Sequence, residues 1–157
     1  MTGHTYSCTE QFISEMRECT MRLIPYLQFN GQCEAAFRLY ETCLGGRITF
    51  VMRYAEAPQS DTAQPLGWGD KIYHITLVAG DYMLQGADLP PESYQKPQGF
   101  SLNVELQDAT KGERIFSELA WNGTVKMQLQ ETLWAQRFGV LIDRFGITWL
   151  INVGKET

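Results

Sequence analysis

The chain has 157 residues, is 44% hydrophobic and 20% charged, and carries a formal net charge of −5, with a pI of about 5.0. A chain of this length is one ordinary globular domain that can bury about two thirds of its unfolded surface, so it needs neither a metal nor a disulfide merely to fold. The acidic balance argues against a nucleic-acid partner, which calls for a basic patch, and no apolar run approaches the roughly 20 residues that span a bilayer, so no membrane association is expected.

The first twenty residues contain Glu10, Glu15 and Glu18 and no uninterrupted apolar stretch, so they are not expected to act as a secretory signal. The four cysteines are Cys8, Cys19, Cys33 and Cys43, with no C-x-x-C pair among them. Cys33 and Cys43 fall on one predicted helix, about 15 Å apart at the helical rise, too far for a disulfide. Reduced thiols in a cytoplasmic protein follow as the expectation. Asn122-Gly123-Thr124 matches a glycosylation acceptor but in such a compartment reads as a turn.

Leu23 to Phe29 reads as the first strand. Asn30 can cap a helix from about Gln32 to Cys43, with Glu34 well placed in its first turn. Ala36, Leu39, Tyr40 and Cys43 recur at helical spacing as its buried stripe. Gly45-Gly46 stops the helix, and Arg47 to Tyr54 alternates as a strand. A polar loop with Pro58, Pro65, Gly67 and Gly69 runs from Ala55 to Asp70. Two strands follow, about Lys71 to Val78 and Tyr82 to Gly86, joined by a Gly80-Asp81 turn.

After a Pro-rich break from Leu89 to Gly99, the order repeats. Phe100 to Leu106 is a strand. Asp108 can cap a helix from about Ala109 to Trp121, with Phe116, Leu119 and Ala120 inward and Asn122-Gly123 as its stop. Thr124 to Gln130 alternates, with Val125, Met127 and Leu129 on one face. Val140 to Asp143 and Ile147 to Val153 close the set. The fold class is therefore α+β, with two βαβββ modules forming a curved mixed sheet trough. A ferredoxin-like pair gives a similar pattern and stays open on periodicity alone. The expected organisation is an N-terminal extension, residues 1–20, and one domain, residues 21–157, with modules at about 21–90 and 98–157.

Pro25-Tyr26-Leu27-Gln28-Phe29-Asn30-Gly31, then Cys33-Glu34-Ala35-Ala36-Phe37 and Tyr40, resembles the opening of the PhnB-like branch of the glyoxalase/bleomycin-resistance (vicinal oxygen chelate) superfamily. Gln130-Glu131-Thr132-Leu133-Trp134, Phe138-Gly139 and Asp143-Arg144-Phe145-Gly146-Ile147-Thr148-Trp149 resemble its tail signature. The resemblance runs from Met21 to about Val153, and the first twenty residues have no counterpart in it. It implies the paired-module fold and a homodimer. Family members often carry a methyltransferase label, yet no glycine-rich loop follows a strand here to hold S-adenosylmethionine.

The superfamily's metal enzymes place ligands on four equivalent strands. By register the matching positions fall near Ile24, Gln85, Ser101 and Leu150, two of which are hydrocarbons that cannot donate to a cation. A one-residue slip substitutes Pro25, Trp149 or Ile151, so no metal and no cofactor are expected. Of the two histidines, His4 lies in the unmatched leader. A metal site built on His74 would need carboxylate partners, for which Asp88, Glu131 and Asp143 are available; the plainer reading is a hydrogen-bonded histidine on a sheet flank.

Candidate ligand-binding residues are His74, Asp88, Glu131, Trp134, Asp143 and Trp149, with His74 and Glu131 the candidates for catalysis if any occurs. Each has a plainer reading. Trp149 alternates with Ile147, Ile151 and Val153 as a core residue would. Asp143 precedes a Gly146 turn that it could simply form. The expected function is metal-free binding of a small molecule. The alternative is an enzyme of the vicinal oxygen chelate type, lyase or dioxygenase-like, using His74 with Asp88 or Glu131.

Overall fold

The computed structural model describes residues 21–58 and 66–155; the leader, with His4, Cys8 and Cys19, lies outside them. The first module comprises β1 (Tyr26–Phe29), α1 (Cys33–Leu44), β2 (Arg47–Arg53), a single 3-10 turn (Tyr54–Glu56), β3 (Ile72–Ala79) and β4 (Tyr82–Asp88). The second comprises β5 (Leu102–Leu106), α2 (Ala109–Ala120), β6 (Thr124–Gln130), β7 (Ala135–Ile142) and β8 (Thr148–Gly154). Each module folds into a four-stranded mixed sheet, ordered β1-β4-β3-β2 and β5-β8-β7-β6. In each the first strand pairs parallel with the last, and the other pairings are antiparallel. Among the described residues no helix is long and apolar enough to cross a membrane.

Each helix covers one face of its own sheet, and the two helices touch one another. Cys33, Ala36, Phe37, Tyr40 and Cys43 are the buried residues of α1, so Phe37 joins the expected stripe. Gly112, Ile115, Phe116 and Leu119 are those of α2. They meet Leu27, Phe29, Ile75, Leu77, Leu141, Trp149 and Ile151 in one core cluster that runs through both modules. Burying each large side chain contributes about 1.5–3 kcal/mol. The core is one body because aromatic rings cross the module boundary: Phe29 and Tyr40 each stand edge-on to Phe145, and Tyr40 to Trp149.

Three local expectations are corrected. Asn30 does not cap α1; the N-cap is Gln32, without a side-chain bond, and the first helical N–H, that of Cys33, donates instead to Asp88 Oδ1 at 2.9 Å. A carboxylate brought in from the end of β4 does the work of a local cap. Val125, Met127 and Leu129 do not share one face, because β6 pairs with β7 through two register shifts, and such bulges break the alternation. β7 begins at Ala135, five residues before the expected strand, since its early residues Gln136 and Arg137 gave no apolar signal. The remaining ends hold more closely. Asp108 accepts from Lys111 N at 3.1 Å to cap α2, and Gly45 ends α1 in the left-handed region, at φ 70°.

Candidate ligand-binding face

Strand pairing decides which side chains share a surface. In the first sheet Tyr26 stands opposite Gln85, Gln85 opposite Thr76, and Thr76 opposite Phe50, a row across all four strands. Ile75 and Leu77 on either side of Thr76 are buried toward the core, so by strand alternation this row lies on the face away from the helix. His74, two residues before Thr76, shares that face and stands opposite Met52.

The polar groups of this face are joined. Tyr26 Oη lies 3.2 Å from His74 Nδ1, and Thr76 Oγ1 lies 3.3 Å from His74 Nε2. Burial raises the Tyr26 phenol above its ordinary range, helped by Cys33, Tyr54 and Tyr73. The phenol therefore keeps its proton and shares a hydrogen bond with Nδ1. The ring is thus held in orientation by a hydroxyl at each nitrogen, and it is flanked by the rings of Tyr26 at 5.7 Å and Phe50 at 5.8 Å between centroids. Tyr26 and Phe50 remain 46% and 45% exposed, so they are open to a ligand.

Tyr26 also borders a cleft of about 570 Å³ where β1 meets the link between the modules. Leu27 and Ile147 line it with Tyr26 and Gln28 of β1, and with Gln95, Lys96, Pro97, Gln98 and Phe100 of the linker. Tyr26 and Gln28 occupy the exposed positions of β1, whereas Leu27 and Phe29 are buried. Tyr26 belongs to both the polar face and the cleft.

The expected site residues fall into two groups. Asp88 is 1% exposed and accepts from Cys33 N and Ile72 N, both at 2.9 Å. Asp143, 3% exposed, accepts from Tyr40 Oη at 2.6 Å, Trp149 Nε1 at 2.9 Å, Phe145 N at 2.8 Å and Ile147 N at 3.0 Å. Trp149 is buried, so these three hold the fold together and present nothing to a ligand. Glu131 is exposed and lies 3.3 Å from Lys155, and the exposed Trp134 stands edge-on to Phe138 of the second sheet. Neither joins His74. The expected pairing of His74 with Asp88 or Glu131 is therefore replaced by Tyr26 and Thr76. Thr76 follows His74 at strand spacing and was legible on that ground; Tyr26 reaches it only across the β1-β4-β3 pairing.

The superfamily's metal position also shifts in register. Ile24 and Ser101 precede their strands, and the residues opposite Gln85 and Leu150 are Tyr26 and Asn103. One phenol, two carboxamides and a hydrocarbon do not fit a divalent metal. Among the described residues no three His, Cys, Asp or Glu side chains gather. The buried thiols of Cys33 and Cys43 are free. Burial raises both thiol pKa values, Cys43 to about 12, with Asp88 and Glu34 adding at Cys33 and Glu118 at Cys43. They are not activated nucleophiles.

Two mixed four-stranded sheets, each built in βαβββ order with one helix, define a fold of the glyoxalase/bleomycin-resistance class, shared by structures of that family. Within it the chain belongs to the PhnB-like family whose model, described as 3-demethylubiquinone-9 3-methyltransferase, matches residues 21–152. Protein YjdN of Escherichia coli (strain K12) is 34% identical over 143 residues, covering 87% of this chain and 97% of YjdN. The crystal structure of protein PA1353 from Pseudomonas aeruginosa is 36% identical with a TM-score of 0.77, covering 87% of this chain and all (100%) of that one. A PhnB protein from Bacillus cereus shares the fold at 20% identity and a TM-score of 0.72, over 85% of this chain and 100% of that one.

Proposed function

We propose that this protein binds a small organic molecule, without a metal, on the face built from Tyr26, His74, Thr76, Gln85 and Phe50. The observation that carries the reading is the fixed histidine. Its two ring nitrogens are both engaged on a sheet surface that otherwise faces outward, and ordered polar groups beside exposed aromatic rings are the usual makings of a ligand site. In this reading the protein works in the cytoplasm as a homodimer. Buried free thiols support the reduced compartment. The exposed Val125, Met127, Leu133 and Trp134, on and just after the edge strand β6, support a second copy covering that edge. Methyl transfer is not part of the reading. The N-terminus of α1 follows β1, where a Rossmann-type fold would receive its cofactor, but here the Asp88 carboxylate occupies it.

The test is a ligand-observed NMR screen of the wild type, repeated on Tyr26→Phe and His74→Ala. Hits should lose affinity several-fold in both variants while the melting temperature moves by only a few degrees. Hits that bind both variants as they bind the wild type would refute the site, and a monomer mass by light scattering at micromolar concentration would refute the dimer.

A further inference from the structure

We infer that the ligand of this face is an organic anion, with a carboxylate or phosphoryl group held at the mouth by Lys96; the inference rests on the binding reading above. Among the described residues Lys96 is the one charged side chain lining the cleft, and no acid among them lines it. Lys96, like Lys111 and Lys126, makes no ion pair with any described residue, whereas the carboxylate partners of Lys155, Arg53, Arg114 and Arg137 stand at 3.0–3.5 Å. Around it stand Gln28, Gln95 and Gln98, whose amides supply N–H donors in addition to their carbonyls.

Net charge makes this local arrangement more telling. A chain of net charge −5 repels anions at long range, so a lysine among amides, with no carboxylate of the described residues lining the cleft beside it, runs against the overall field. A cationic ligand would meet Lys96 at the entrance with no counter-charge inside. A neutral one would leave the ammonium without use. The organic part follows from the rings: Tyr26 and Phe100 line the same cleft, both half exposed at 46% and 48%, and offer a planar or apolar body a surface next to the charge.

The experiment uses matched probes that differ only in the head group: benzoate, phenyl phosphate, benzamide and benzylammonium. Each is titrated into the full-length 15N-labelled protein and followed by the amide shifts of residues 26–28, 74–76 and 95–100. Either anion should bind at least fivefold more tightly than benzamide, and benzylammonium more weakly still. Lys96→Gln should remove the preference for the anions while leaving benzamide unchanged, and Lys96→Arg should restore it. Probes that bind here with benzylammonium equal to or tighter than the anions, or an anion preference that survives in Lys96→Gln, would overturn the charge assignment alone. If no probe of any charge moves these resonances, the binding reading itself fails, and the assignment with it.

Discussion

The two modules follow one plan yet solve the same positions differently. Asp88 and Val153 are equivalent: each stands opposite the last residue of its module's first strand, Phe29 and Leu106. In the first module that position carries a carboxylate, which reaches across to the start of α1. In the second it carries Val153, which packs beneath Gly112 of α2, and the helix takes its cap from its own Asp108. The open faces differ still more. The row Tyr26-Gln85-Thr76-Phe50 of the first sheet corresponds to Asn103-Leu150-Val140-Met127 of the second. Rows that face a helix must be apolar in both halves. Rows that face away carry no such demand, and there the first module has gathered a joined set of polar groups around a histidine.

The largest losses of stability are expected at the two buried carboxylates. Asp143 gathers four donors and links the modules, since Tyr40 reaches it from α1. Asp143→Ala should leave those donors unpaired and cost about 3–5 kcal/mol, read from the midpoint of urea unfolding. Asp88→Ala strands two backbone N–H groups and should cost less, about 2–3 kcal/mol. Hydrogen exchange separates the two variants. Loss of protection should centre on α1 and β3 in Asp88→Ala, and spread through both modules in Asp143→Ala.

A second contrast is in alkaline sensitivity. Cys33, Tyr40 and Cys43 all lie on α1, and burial raises all three pKa values, Tyr40 with further help from Asp143. α2 carries neither cysteine nor tyrosine. A group with a raised folded-state pKa contributes fully below its unfolded pKa, and that contribution is lost as pH rises toward the folded value. Stability should therefore fall as pH climbs from the ordinary thiol value near 9 toward about 12. Urea unfolding across this window should show the slope, and Cys43→Ala should flatten it. A slope unchanged in that variant would show that Cys43 does not contribute.

Much of this fold was legible because it rests on local chemistry. Asp108 stands at a helix start, Gly45 ends a helix, and the apolar stripe of α2 recurs at helical spacing; each signal lies within a few residues of its effect. What was not legible depends on pairing. The Asp88 cap bridges residues 55 apart in sequence. The face of Met127 depends on a register shift, which period-two alternation cannot foresee. The site follows the same division. His74 stood out as a lone histidine in a strand. Its partner Tyr26 is 48 residues away and enters only once β1 is placed beside β4. Asp143 and Trp149 drew attention as members of a motif, but that motif is the core's own hydrogen-bonded corner.

Smaller effects test how tightly each helix sits on its sheet. A Cβ at Gly86 would stand 2.7 Å from both the Leu27 carbonyl oxygen and the Phe37 ring, whereas one at Gly112 would meet Val153 Cγ2 at 2.6 Å. Backbone cannot yield as a side chain can, so Gly86→Ala should cost about 2–3 kcal/mol. Gly112→Ala should cost about 1–2 kcal/mol, since a gain in helix propensity offsets part of the clash. Asp108→Ala removes only a cap and should cost about 1 kcal/mol. Thermal unfolding that ranks these three in another order would overturn the packing account.

The smallest stability effect carries the sharpest functional test. Thr76 and Val140 hold equivalent places, each in the middle of its row, between Gln85 and Phe50 in one sheet and between Leu150 and Met127 in the other. Thr76→Val keeps the shape but removes the hydroxyl bonded to His74 Nε2, leaving that nitrogen to find water. The cost should be about 0.5–1.5 kcal/mol, much less than that of either carboxylate substitution. If Thr76 serves mainly to orient the imidazole, ligand affinity should fall several-fold and Thr76→Ser should recover most of it, because serine restores the hydroxyl. The reciprocal Val140→Thr places a hydroxyl in the second sheet with no histidine beside it, and it should leave binding unchanged. Equal losses of affinity from Thr76→Val and Val140→Thr would mean that both open faces contact the ligand, and the contrast between the modules would then lie in their helix caps alone.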